Sequence, residues 1–215
     1  MKRTASVIVL ACLFWGTSCA RFERISPAPV PAEVLEDETL NAILRLVFSR
    51  SLEEALRLRE SKENDGYVVV DPETTLGLLD EPGDLEHVKE QLELMLEGEG
   101  CDVGALVDRF VEQNRKPYRL LIESSPEDGY VIDYDGEYTR YFGKGLDAWD
   151  KFYKNNPGAR GCTHVSVPAY DPKSQVVLVY VGTQTQWLAG VGYIAAFRYE
   201  DGQLRPLACP RFWVS

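Results

Sequence analysis

The chain predicts an α+β fold: an antiparallel β-sheet, made of a C-terminal meander plus hairpins, packed by N-terminal helices and by one helix at about 145–155. Three observations carry this. From 162 to 215 the apolar residues fall in runs of strand length, broken by the turn dipeptides Asp171-Pro172 and Asp201-Gly202. From 37 to 111 they recur instead at spacings of three and four, the period of a helix. Between 129–134 and 138–142 stands Asp135-Gly136, a strong hairpin dipeptide.

In chain order, residues 1–18 have a charged start at Lys2 and Arg3, an apolar run from Ala5 to Trp15, and small residues at Gly16, Thr17 and Ser18. That is the pattern of an export signal. Its apolar run is too short for the ~20 residues of a spanning helix. Gly16-Thr17-Ser18-Cys19 resembles a bacterial lipobox, in which Cys19 becomes the lipidated first residue, although Gly16 stands where the pattern prefers Leu. Cleavage behind Ala20 is the alternative and would leave a secreted or soluble periplasmic protein. Residues 19–35, with Pro27, Pro29 and Pro31, read as a tether, because such a composition stays extended. These features predict a lipid-anchored protein of the cell envelope, facing the periplasm or the exterior, whose membrane contact is the lipid on Cys19.

The mature chain reads as one domain, an acidic helical region at 36–116 followed by the sheet region at 117–215. Net charge is −11, and residues 31–100 alone carry 19 acids against 6 bases. Nucleic acid is excluded as a partner, since phosphate neutralisation needs clustered Lys and Arg. The first helix has the stripe Leu40, Ile43, Leu44, Val47, Phe48, Leu52, Ala55 and Leu56. Tyr67 to Val70 is a short buried strand or extended connector. A second helix, capped by Asp84, has Leu85, Val88, Leu92, Met95 and Leu96; a third, capped by Asp102, has Val103, Leu106, Val107, Phe110 and Val111. His87 lies beside the second stripe, as a lone, partly exposed histidine. Strands are expected at 118–123, 129–134 and 138–142, then the helix carrying Trp149, Phe152 and Tyr153. The meander strands follow at 162–167, 176–183, 191–199 and 203–209. Strand 176–183 is apolar on both faces and therefore central; Pro206 places the last strand at an edge or a bulge.

Candidate chemistry is sparse. Asp133, Asp135 and Glu137 are spaced like the opening of a calcium loop, but Tyr138 stands where the loop needs glycine and the later glutamate is missing, so a turn is expected. Two histidines and no paired CxxC or HExxH predict no metal and no cofactor. Beyond Cys12 and Cys19, the cysteines are Cys101, Cys162 and Cys209. In a meander Cys162 and Cys209 lie about 14 Å apart across three strand intervals, too far for a disulfide. Either they are free, or the two outer strands are neighbours. Cys162 and His164 share a strand face, the residue types of a nucleophile and its base, and define the catalytic alternative: a cysteine-dependent hydrolase or transferase. Without an assignable oxyanion loop or orienting group, the leading reading is non-catalytic, an interaction or binding module for an envelope protein or small ligand. Its candidate site is the end of the sheet shared by His164, the loop 184–190 with Gln184, Gln186 and Trp187, and Cys209. A further alternative is a glycan or peptide binder using the aromatic residues of 118–153.

Trp149 with Phe152 and Tyr153, Pro157, Gly161, Ser166, Val179-Tyr180-Val181, Gly190, Gly192-Tyr193 and the terminal Trp213-Val214-Ser215 resemble an uncharacterised family of bacterial exported proteins and lipoproteins. The resemblance covers the last 70 residues and, loosely, the region from Asp102. It implies the meander and no activity. Relatives often carry two cysteines in the loop before the glycine pair; Thr185 and Ala189 stand there in this chain, so a clip or metal role is not carried over.

Overall fold

The computed structural model describes residues 32–48, 66–75, 82–142, 145 and 147–214. The signal sequence, Cys19, the proline tether and the Leu52–Leu56 part of the first helical stripe lie outside the described residues.

The helices form where the apolar period is 3.6 and a carboxylate stands at the start. In α1, Glu38–Phe48, the Asp37 carboxylate accepts from the Leu40 amide at 3.0 Å, and Leu40, Ile43, Leu44, Val47 and Phe48 are all buried. Each such side chain contributes at most about 1.5–3 kcal/mol. The helix α2 spans Pro82–Met95, so Asp84 lies within its first turn rather than capping it. Proline suits that position, because its missing N–H has no helical partner there. In α3, Val103–Gln113, Asp102 is the cap, accepting from the Ala105 amide at 3.0 Å. The short α4, Ala148–Asn155, buries Trp149 and Phe152.

The strands are β1 (Glu33–Val34), β2 (Tyr67–Val70), β3 (Tyr118–Arg119), β4 (Tyr130–Ile132), β5 (Ala159–Val165), β6 (Ala169–Asp171), β7 (Val176–Gln186), β8 (Ala189–Glu200), β9 (Gln203–Ala208) and β10 (Arg211–Val214). The order β10-β8-β7-β5-β2-β4, with β6 on β7 and β9 on β8, makes a sheet of eight strands, and β1 pairs with β3 apart from it. The fold is α+β, and the sheet is largely antiparallel. The meander order β5-β7-β8-β9 is present, and Asp201 and Gly202 turn β8 into β9 with φ of 51° and 72°. Those paired positive values are the hairpin geometry that such a dipeptide favours.

Two covered faces explain the all-apolar β7. One face, with Val68, Val70, Val165, Val177, Val179 and Phe197, packs against α1. The other is shared: Val176, Leu178, Tyr180, Ile194 and Ala196 lie under α2 and α3, whereas Val69, Ala159 and Cys162 lie under α4. Arg198 on β8 is paired with Glu99 in the α2–α3 connection at 2.5 Å and donates to the Ser174 carbonyl in the β6–β7 turn at 3.2 Å.

The structure corrects four expectations. The sheet is not purely antiparallel, because β2 is inserted between β4 and β5 and runs parallel to both. Of 118–123 only Tyr118–Arg119 is a strand, paired in parallel with β1; Leu120 and Ile122 are buried without a ladder. Residues 138–142 form no strand but a 3₁₀ turn at Thr139–Tyr141, because the buried Asp133 carboxylate accepts from the Tyr138 and Thr139 amides and the Thr139 hydroxyl. That carboxylate is thereby spent on the turn. The C-terminal tail is a strand, β10, on the same edge of β8 as β9.

Candidate functional site

The open part of the shared face lies between the α2–α3 layer and α4, and His164 stands in it. It sits on β5, a strand flanked on both sides, yet its side chain is 35% exposed. The reason is its neighbour on β7, Gly182, which has no side chain to cover it. A Cβ at Gly182 would meet the phenol oxygen of Tyr180 and come within 2.8 Å of the ring carbon bearing it, so the Tyr180 hydroxyl occupies the space above that glycine. On the β2 side, the Asp71 carboxylate faces the His164 ring, with Oδ2 3.2 Å from Nδ1. Its other oxygen accepts from the Glu73 amide at 2.9 Å. Asp71 is thus anchored at both oxygens and orients the imidazole, as a carboxylate does in a base-orienter pair.

Cys162 does not complete a nucleophile. It is buried, 7% exposed, against Val69, Trp149 and Phe152. Burial first, then the Asp133 and Asp71 carboxylates, push its thiol up to about 12, which keeps the sulfur protonated and weakly nucleophilic. Two residues of strand also separate Cys162 from His164 by roughly 6.6 Å. Burial likewise pushes the Cys209 thiol up to about 11. Cys101, Cys162 and Cys209 are free thiols. His87 is exposed and contacts Gln91 at 2.8 Å. Among the described residues no group of three His, Cys, Asp or Glu side chains is placed to hold a metal.

The expected recognition end is only partly assembled. Gln184 pairs in register with Cys162 and Gly190, and the turn beyond it places Trp187 and Leu188 at the tip of the β7–β8 hairpin, 40% and 71% exposed. Gln186 is exposed beside them. Cys209 is not at this end: β9 is half the length of β8 and its last residue, Ala208, is level with Ala196, so β10 takes the edge beside Val191 and Gly192 instead. The tip is braced, since the Tyr153 hydroxyl donates to the Thr185 carbonyl at 2.7 Å and the Thr185 hydroxyl to the Ala189 carbonyl at 3.1 Å. Of the aromatic residues proposed as a glycan platform, Phe142, Trp149, Phe152 and Tyr153 pack on one another: Phe142 lies 4.5 Å from Trp149 and 5.4 Å from Phe152, centroid to centroid.

Sequence reasoning missed Asp71 and Tyr180 as neighbours of His164. Asp71-Pro72 carries a strand-stop signal, and nothing local to it points 93 residues ahead; Tyr180 looks like one more apolar residue of a central strand. Compared with family models, with curated proteins and with solved structures, the chain matches none. No helix among the described residues is long and apolar enough to cross a membrane.

Proposed function

We propose that the chain is a non-catalytic binding module of the bacterial cell envelope, held to a membrane by lipid on Cys19 and engaging its partner through the tip of the β7–β8 hairpin. The observation that carries the reading is that Trp187 and Leu188 are exposed together on a turn braced from α4 by Tyr153. A large aromatic ring held rigidly in solvent costs little ordering entropy when it binds, which is why such residues anchor interfaces. The direction of the fold agrees. β1, where the tether joins the domain, lies with Tyr118 and Thr74 beyond the C-terminal end of β5, while the tip lies beyond its N-terminal end. An anchored molecule then presents the tip away from its tether.

The second reading is a hydrolase in which His164, oriented by Asp71, acts as general base; the 3.2 Å pair and its exposure favour it, and the protonated Cys162 speaks against the thiol as nucleophile. One experiment separates the two. A photo-crosslinking residue is placed at Leu188 and, as a control, at Leu94, which is 77% exposed on α2. Discrete crosslinks from 188 in the native envelope, absent from 94 and lost in Trp187→Ala, are expected. No crosslink from 188, together with ester or amide hydrolysis abolished by His164→Ala, would overturn the binding module in favour of the enzyme.

A further inference from the structure

At the opposite end from the hairpin tip, β1, the start of α1 and the end of α3 line an open pocket of about 220 Å³. That is below the roughly 300–1,000 Å³ of sites for drug-sized molecules, so its ligand is small. Its apolar wall is Val34, Leu35, Leu40 and Val167, with Tyr118 alongside. Gln113 lines the cavity, and its side-chain oxygen is buried with no hydrogen-bond partner. Asn41 lies outside the lining; its amide nitrogen donates to the Leu35 carbonyl at 2.8 Å and its buried side-chain oxygen is without a partner. Glu36 and Asp37 stand exposed in the lining and add two carboxylates. Lys116, a base on this side of the fold, is already engaged by Glu33 at 2.6 Å.

A buried acceptor left without a donor costs about 1–3 kcal/mol, and a native fold carries few of them. The missing partner here must bring N–H or O–H groups. It must also present an apolar body to four aliphatic side chains, and the charged residues of the lining itself, Glu36 and Asp37, are both acidic. An ammonium group satisfies all three conditions, because it has three donors, no acceptor and a positive charge. We infer that this cavity is a binding site for a small primary amine with an apolar body, an alkyl- or arylmethylammonium. Its ammonium hydrogen-bonds the Gln113 oxygen and is attracted by Asp37 and Glu36, and its apolar part lies against Val34, Leu40 and Val167. The site is independent of the hairpin tip and of the reading built on it.

Benzylamine, benzyl alcohol and benzoate are titrated into the mature protein, with binding followed by amide chemical shifts. Benzylamine is expected to saturate in the range of about 0.1–1 mM, as suits a ligand of about eight non-hydrogen atoms, and to bind at least about tenfold more tightly than benzyl alcohol. The shifts should centre on Leu35, Leu40 and Gln113. Gln113→Met, which keeps the side chain's length and removes the unpartnered acceptor, should weaken binding about tenfold while raising, not lowering, the melting temperature of the free protein. Val34→Trp, placed on the half-exposed β1, should block it. A preference for benzoate would mean that the Gln113 amide presents its nitrogen to the cavity, and would overturn the proposal. So would equal affinity for amine and alcohol, shifts centred elsewhere, or undiminished binding by both variants.

Discussion

The two halves of the β7–β8 hairpin are one continuous ladder with opposite fates. In the base half, Val176 to Tyr180 and Ile194 to Phe197, every side chain is buried, and helices lie on both faces. In the tip half, from Gly182 onward, the cross-strand pairs run Gly182 with Gly192 and Gln184 with Gly190, and the turn ends in exposed Trp187 and Leu188. The pairing runs through both halves, with a register shift only between Gln184 and Gln186 near the turn, so the ladder does not decide which half is core. The side chains do: an apolar residue at each position of the base supplies area for a helix to cover, and a glycine supplies none. His164 is the consequence on the neighbouring strand, open because glycine stands beside it. At Gly161 the same economy acts on the backbone, since a Cβ there would come within 2.5 Å of the Gln184 carbonyl oxygen.

The comparison can be broken most strongly in the base. Phe197 is fully buried against the α1 face, so Phe197→Ala should destabilise the domain by about 3–5 kcal/mol in denaturant unfolding; a loss under about 1 kcal/mol would mean that this half is not the core. At the boundary, Gly182→Ala should cost about 1–3 kcal/mol, because the new methyl must displace the Tyr180 phenol. Adding Tyr180→Phe should return part of that loss. Additive costs would show that the ring is not what fills the space. At the tip, Trp187→Ala should change stability by about 1 kcal/mol or less, since the ring is 40% exposed. A cost of about 3–5 kcal/mol would make Trp187 core and remove it as a partner anchor.

Local chemistry made much of this legible. The Asp102 cap, the α1 stripe, the Trp149–Phe152 helix and the Asp201-Gly202 turn are all decided within a few residues, and each is where the pattern puts it. The strand expected at 129–134 is present as β4, but its partner at 138–142 failed for an equally local reason that alternation does not display: the Asp133 carboxylate captures the amides that a hairpin would have needed.

The sequence by itself determined the fold class and the strand order of the meander, because apolar period and turn residues act between near neighbours. It also determined that β7 is covered on both faces, though not by what. Only the tertiary structure decided that Tyr67–Val70 enters the sheet in parallel between β4 and β5, that β10 closes the edge that β9 is too short to reach, and that Asp71 meets His164. Parallel partners are joined by long stretches of chain with no turn signature of their own. Their pairing, and any side-chain pair that it creates, is settled by which apolar faces are left to cover once the local elements have formed.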